Sequence, residues 1–310
     1  MSVITGFCWV IQRMSIKVLV TGAAGRLGRY CVAELIASGF AVVATDRRNH
    51  DSGNPPVNIL DLLDTNAVNS VMAGVEAVVH LGNHPSLLAA PKDRIFQENV
   101  AMNMNVFQAA LKHGIGKIIF ASSIQVIASE ELEFSPVCPA PYVAYLPLDS
   151  DSPPQPANPY ALSKWIGETM LRDYFVPAGI DAVALRFPTL VDPARLARLR
   201  KRNSEIGEQH HSAAARISQG FGALMYEDAA RLVGTLLSRA LPGYRVYLPA
   251  VTVPPTGDVA ELINTFYRGV PLRRSPVEMT GLIDISRLEK ETGWRPLIPM
   301  QEPPVGATPP

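Results

Sequence analysis

A β-branched run, Lys17-Val18-Leu19-Val20, leads straight into three glycines spaced three residues apart, Gly22, Gly25 and Gly28. Helical spacing then takes over. Leu27, Val32, Leu35 and Ile36 recur at helical intervals, and Gly39 supplies the stop. A strand that turns through glycine into a helix is the opening of a βαβ unit. That turn lets a pyrophosphate come close to the backbone and rest on the helix N-terminus. Gly22, Gly25, Arg26, Leu27 and Gly28 are therefore the candidate phosphate-binding residues. The spacing is Gly-x-x-Gly-x-x-Gly rather than the commoner Gly-x-Gly-x-x-Gly, so the strand–helix setting carries the reading.

The second strand, Ala41-Val42-Val43-Ala44-Thr45, ends at Asp46. A carboxylate there accepts hydrogen bonds from ribose hydroxyls and repels a 2′-phosphate, which favours NAD. Arg47 and Arg48 follow at once and are suited to that phosphate, which leaves NADP open. Apolar strands and helices go on alternating: a run near Val75–Leu81, a long helix near Pro91–His113 and a strand near Lys117–Ser122. The predicted fold is α/β, a Rossmann-type doubly wound parallel sheet with a small C-terminal substrate lobe. Residues 15–190 form the dinucleotide-binding part. Residues 191–310 form mainly the lobe, with a strand and helix returning to the core. Residues 1–14 read as a disordered extension or an overcalled start. Proline is dense from Ser135 to Pro159, which excludes regular helix and predicts a long loop covering the substrate.

Asn158-Pro159-Tyr160-Ala161-Leu162-Ser163-Lys164 places a phenol and an ammonium four residues apart, on one face of a helix. Free tyrosine, with a pKa near ~10, is a poor base at neutral pH. A neighbouring cation favours the phenolate and makes Tyr160 a usable acid/base. Ser123 follows the β-rich run Ile118-Ile119-Phe120 and so stands at a carboxyl strand end, where open α/β sheets bind ligands.

In this order the motifs resemble the extended short-chain dehydrogenase/reductases, the NAD-dependent epimerase/dehydratase family. The likeness runs from about Ile16 to about Pro296. It takes in the glycine turn, Asp61-Leu62, His80-Leu81-Gly82, Asn99, Phe120-Ala121-Ser122-Ser123, Tyr160 to Lys164, Leu185-Arg186-Phe187-Pro188-Thr189 and Gly293-Trp294-Arg295-Pro296. The resemblance implies that Tyr160 is the general acid/base, that Lys164 holds the nicotinamide ribose and that Ser123 binds the reacting oxygen. It further implies that Asp61 and Leu62 contact adenine, and that Leu81, Gly82, Asn99 and Phe187 border the cofactor. Family members that act on nucleotide sugars carry an arginine to grip the diphosphate. Here the corresponding stretch, Gly220 to Asp228, has none, and Thr189 replaces the family's asparagine. Phe-Ala-Ser-Ser and Val79-His80-Leu81-Gly82 are similar to the uronate dehydrogenases. By that likeness Thr189 and Arg198 bind a sugar acid, a guanidinium being the natural partner of a carboxylate. Arg195, Arg198, Arg200 and Arg202 also read as one solvated helix face.

The chain's 310 residues, 47% of them hydrophobic, suffice for one large core and a smaller lobe. A formal net charge of zero gives no reason to expect nucleic acid or anionic membrane. No stretch approaches the ~20 apolar residues of a membrane span. Three cysteines without metal-ligand spacing point to a reducing cytoplasm and to no metal. Ile95, Phe96, Val100, Met104, Phe107 and Leu111 put more apolar surface on one helix than a sheet contact needs, which predicts a homodimer. The function expected is NAD(P)-dependent hydride transfer at a hydroxyl-bearing carbon of a sugar or sugar acid. The alternatives are a nucleotide-sugar epimerase or dehydratase with transiently reduced NAD, and a catalytically silent dinucleotide-binding regulator.

Overall fold

The structure, a computed structural model, describes residues 15–49, 55–86, 88–128, 143–206, 214–255 and 257–297. The leader reading for residues 1–14 and the first part of the proline-rich segment lie outside these.

The main sheet is built from β1 (Lys17–Thr21), β2 (Ala41–Asp46), β3 (Asn58–Ile59), β4 (Ala77–His80), β5 (Lys117–Ser123), β6 (Asp181–Phe187) and a later strand, β9 (Tyr244–Tyr247). Its order is β3-β2-β1-β4-β5-β6-β9, with every pairing parallel. Burial explains the composition. β4 is buried at all four positions and β6 at six of seven, so both faces are covered and the strands read as continuous apolar runs. Alternation then sorts the side chains. Val18 and Val20 join one cluster with Cys31 and Leu35 of α1 (Arg26–Ala37) and Leu232 and Leu236 of α7 (Tyr226–Leu237). Leu19 and Val78 join the other, with Val106 and Phe107 of α3 (Lys92–Lys112) and Leu171 and Phe175 of α4 (Pro159–Phe175). On α3, Ile95 and Phe107 are fully buried, whereas Phe96, Val100, Met104 and Leu111 are half-buried.

The strand order reverses between β1 and β4. The connections on either side of that point lead to opposite sheet edges, which opens a crevice at the carboxyl ends of the central strands.

A three-stranded sheet, β10-β8-β7, sits beyond that end, made of β7 (Thr189–Val191), β8 (Gly222–Met225) and β10 (Val251–Thr252). Helices α5 (Pro193–Ser204) and α8 (Val259–Phe266) accompany it. Val191, Leu196, Ala223 and Met225 form one apolar cluster of this lobe, and Ile124, Leu146, Leu148, Phe221, Leu248, Tyr267 and Leu282 belong to a larger one with α8. The described part of the proline-rich segment is therefore not a cover over the substrate. Leu146 and Leu148 are buried and bridge to Leu272 and Ile283, because their apolar side chains fill the lobe's core. The chain then returns: β9 pairs with β6, and Leu288 and Trp294 pack into the cluster of Val18 and Leu232.

Candidate active site

The glycine turn is shaped by what its glycines exclude. Gly22 has φ 69°, which favours glycine, and a Cβ there would stand 2.8 Å from the Gly82 nitrogen. A Cβ on Gly28 would stand 2.1 Å from the Gly22 carbonyl oxygen, so α1 reaches the turn only because that position is bare. α1 starts at Gly25 with no side-chain cap, which leaves its first N–H groups to a ligand. Asp46 ends β2 beside the turn. One carboxylate oxygen accepts from the Ala24 N–H at 3.1 Å and the other from the Arg48 N–H at 3.2 Å.

These residues line one side of a cleft of about 1070 Å³. Arg26, Leu27, Arg47, Asp61, Leu62, Leu81, Gly82, Ser123, Tyr160, Lys164, Phe187 and Thr189 line it too. Turn, helix N-terminus and acidic strand end together fit the pyrophosphate and ribose of NAD.

The ends of β1 and β4 are tied by a buried polar chain. The Gly82 N–H donates to Thr21 Oγ1 at 3.1 Å, Thr21 Oγ1 lies 2.8 Å from His80 Nδ1, and His80 Nε2 lies 3.0 Å from Asn103 Oδ1. Since Asn103 Oδ1 only accepts, Nε2 carries the ring proton and Nδ1 accepts from Thr21. Burial first, and the Lys164 charge second, push the His80 imidazole down to about 3. His80 is thus a neutral structural link.

Asn158 starts α4 by accepting from the Ala161 N–H at 2.8 Å, and Pro159 occupies the first turn. That start points Tyr160 and Lys164 into the cleft. Lys164 is 3% exposed, and burial pushes its ammonium down to about 7. Nζ donates to Asn83 Oδ1 at 2.7 Å and to the Ala121 carbonyl at 2.8 Å, and it lies 5.8 Å from the Tyr160 ring centre. Ser123 Oγ accepts from the Gln125 N–H at 3.2 Å, so its own O–H remains to donate into the cleft. All three side chains line the cleft: a phenol, an ammonium and a hydroxyl with its own proton left to donate.

Two expected positions lie elsewhere. Asn99 is fully buried away from the cleft lining. Its amide clamps the backbone of His84 from both sides, at 2.7 and 3.3 Å, and reaches Ser163 Oγ at 3.1 Å. Arg198 is exposed on α5 and does not line the cleft; Arg195, one turn earlier, does. The guanidinium that α5 turns to the cleft is thus one helical turn before the one the likeness implied.

Four features escaped the sequence reading. Arg195 Nη1 lies 3.5 Å from the Tyr226 hydroxyl, and the Tyr226 ring stacks on Tyr30 of α1 at 5.2 Å. His84 Nε2 meets Glu98 at 2.6 Å at the cleft edge, and that bond, then Arg94, holds the Glu98 carboxyl below its usual range. A buried fork joins Arg186 to Glu168 at 2.9 and 3.0 Å, with Ser122 donating to the same carboxylate at 2.5 Å. Glu168 lies four residues after Lys164, a helical spacing that signals it. Asn83 has no signal of its own, since its partner is 81 residues away.

Residues 18–220 match the NAD dependent epimerase/dehydratase family. The chain is 32% identical to the uronate dehydrogenase of Pseudomonas syringae pv. tomato over 177 residues, 55% of this chain and 58% of that protein. It is also 32% identical to the NAD-dependent glucose-6-phosphate dehydrogenase of Haloferax volcanii over 185 residues, 57% of this chain and 70% of that protein. The match therefore spans little more than half the length of the first of these relatives. Among solved structures, the UDP-glucose 4-epimerase of Thermotoga maritima with UDP-glucose superposes with TM-score 0.64 at 19% identity, covering 92% of this chain and 95% of that one, a likeness of fold. With a family match over most of its length and the glycine turn and Tyr160–Lys164 in one cleft, this chain belongs to the NAD-dependent epimerase/dehydratase family.

Proposed function

We propose that this protein is an NAD-dependent dehydrogenase that removes hydride from a hydroxyl-bearing carbon of a small, acid-bearing sugar. The observation that carries the reading is the convergence of Ser123, Tyr160 and Lys164 with the glycine turn and Asp46 on a single cleft. Bound NAD supplies the hydride acceptor. Tyr160, as phenolate, takes the proton of the substrate hydroxyl. Lys164 favours that phenolate by its charge and has one N–H left for a ribose hydroxyl. Ser123 donates to the substrate oxygen and holds it toward Tyr160. Gly22, Gly25, Arg26, Leu27 and Gly28 receive the pyrophosphate, Asp46 the adenosine ribose, Asp61 and Leu62 the adenine, and Leu81, Gly82 and Phe187 the nicotinamide side.

Two features favour an acid over a diphosphate. Where an arginine would grip a diphosphate the chain has Phe221, which is buried against Phe266 at 5.6 Å in the lobe core. The stretch from Gly220 to Asp228 thus offers a diphosphate no guanidinium of its own. On the lobe side Arg195 and Thr189 line the cleft, and the likeness to enzymes named for uronate and glucose 6-phosphate points the same way. Calorimetric titration in the presence of NAD checks this reading. Uronates or sugar phosphates are expected to bind and UDP is not. Micromolar UDP binding would put the nucleotide-sugar epimerase first.

The homodimer remains part of the proposal, supported by half-buried Phe96, Val100 and Met104 on α3 and by Trp165, 37% exposed on α4. A reducing cytoplasm is the location proposed. Among the described residues no helix is long and apolar enough to cross a membrane, and Cys31 is buried and free.

A further inference from the structure

Asn83 sits on the loop after β4, in the cleft wall, with its side-chain carbonyl 2.7 Å from Lys164 Nζ. An ammonium only donates, so the amide oxygen must face it. The amide nitrogen has no partner among the described residues, although it is screened from solvent. Among the described residues the hydrogen bond this side chain makes is the one to the ammonium. We propose that Asn83 is a positioning residue that holds the charge of Lys164 in place for Tyr160.

The geometry supports this in two ways. Lys164 has three N–H donors; Asn83 and Ala121 take two, at 2.7 and 2.8 Å, so the direction of the third is fixed. The Phe120 ring, 4.9 Å from Nζ, closes another side. Of these three neighbours only Asn83 comes from a loop, and removing its side chain leaves the β5 carbonyl in place. The Asn83 carbonyl also favours the charged form of a lysine that burial otherwise discharges. The titratable groups facing Lys164 are Tyr160 on its own helix and neutral His80 at the end of β4; Glu168 is committed to Ser122 and Arg186. Losing the Asn83 carbonyl therefore weakens the cation that keeps Tyr160 a base.

This inference rests on the proposed role of Lys164, but its test does not need the substrate. The full chain, isotope-labelled at lysine Cε, is titrated by NMR without ligand, Lys164 being identified by the signal missing in Lys164→Met. Asn83→Ala is expected to lower the Lys164 midpoint by about one pH unit, and isosteric Asn83→Asp to raise it by a similar amount. In turnover, the acid limb of kcat in Asn83→Ala moves to higher pH while KM changes little. If a folded Asn83→Ala leaves the midpoint unmoved, the proposal is overturned. If Asn83→Ala fails to fold, an unmoved midpoint in Asn83→Asp overturns it equally. A shifted midpoint in a protein that oxidises no sugar keeps Asn83 and sinks the dehydrogenase reading instead.

Discussion

At the cofactor end of the cleft, recognition is made by backbone. The turn approaches through bare Gly22 and Gly28, α1 presents uncapped N–H groups, and Asp46 bonds to the Ala24 N–H. At the lobe end the walls are side chains, Arg195 on α5 and Thr189 on a three-residue strand, on elements held by an apolar cluster of Val191, Leu196, Ala223, Met225 and Val253 drawn from distant stretches of chain. Backbone recognition of a dinucleotide is indifferent to most side-chain changes, whereas a wall made of side chains such as Arg195 and Thr189 is altered by a single substitution. Constancy of cofactor and freedom of substrate are thus built into different materials within one cleft.

Tyr160, on the boundary, gives the largest expected effect. Tyr160→Phe keeps the ring and removes the proton acceptor, so turnover should fall by about 10²–10⁴-fold. NAD affinity, measured by calorimetry, should stay within a few-fold, since the backbone end is untouched. A variant that keeps most of its turnover would move the base elsewhere.

The next effect belongs to the frame of the cofactor end. His80 is held near 3 by burial and then by the Lys164 charge, against an ordinary 6.5. Between those values the unfolded chain binds more protons than the folded one, so stability falls as pH drops through that window, by up to several kcal/mol. Urea midpoints measured from neutral pH downward should show this loss. The double variant His80→Phe with Asn103→Leu, which removes both partners of the bond, should flatten it. An unchanged acid slope would mean that other groups carry it.

Legibility in the sequence divides along the same line. Gly22 to Gly28, Asp46, and Tyr160 with Lys164 are each fixed by spacing inside one strand–turn–helix or one helical turn, so local periodicity was enough. Arg195 and Asn83 were not legible. The first depends on the phase at which α5 leaves a short strand, and the second on a contact across 81 residues. Asn99 was expected to border the cofactor, and its bonds to the His84 loop, made through tertiary packing, had no local signal.

The contrast between Arg195 and Arg198 sharpens the lobe end. Arg195→Ala should raise KM for an acid-bearing sugar about tenfold, about 1.4 kcal/mol. Arg198→Ala, at an exposed position, should stay within about twofold. If steady-state kinetics gave the reverse, the helix would present its other side to the substrate. The smallest effect is expected at Asp46. Asp46→Ala should relax the preference for NAD over NADP by a few-fold in kcat/KM, because Arg47 and Arg48 remain at the cleft edge. A wild-type protein that already prefers NADP would contradict the role given to that carboxylate.

The central claim is net oxidation at Tyr160 of a small acid-bearing sugar. The most direct measurement is the absorbance of reduced nicotinamide after mixing the protein with NAD and a panel of uronates, sugar phosphates, neutral aldoses and UDP-sugars. The account predicts stoichiometric accumulation of NADH with at least one acid-bearing sugar, and none with the same sugar and Tyr160→Phe. Conversion of a UDP-sugar with no net NADH, or no reduction with any member of the panel, would contradict it.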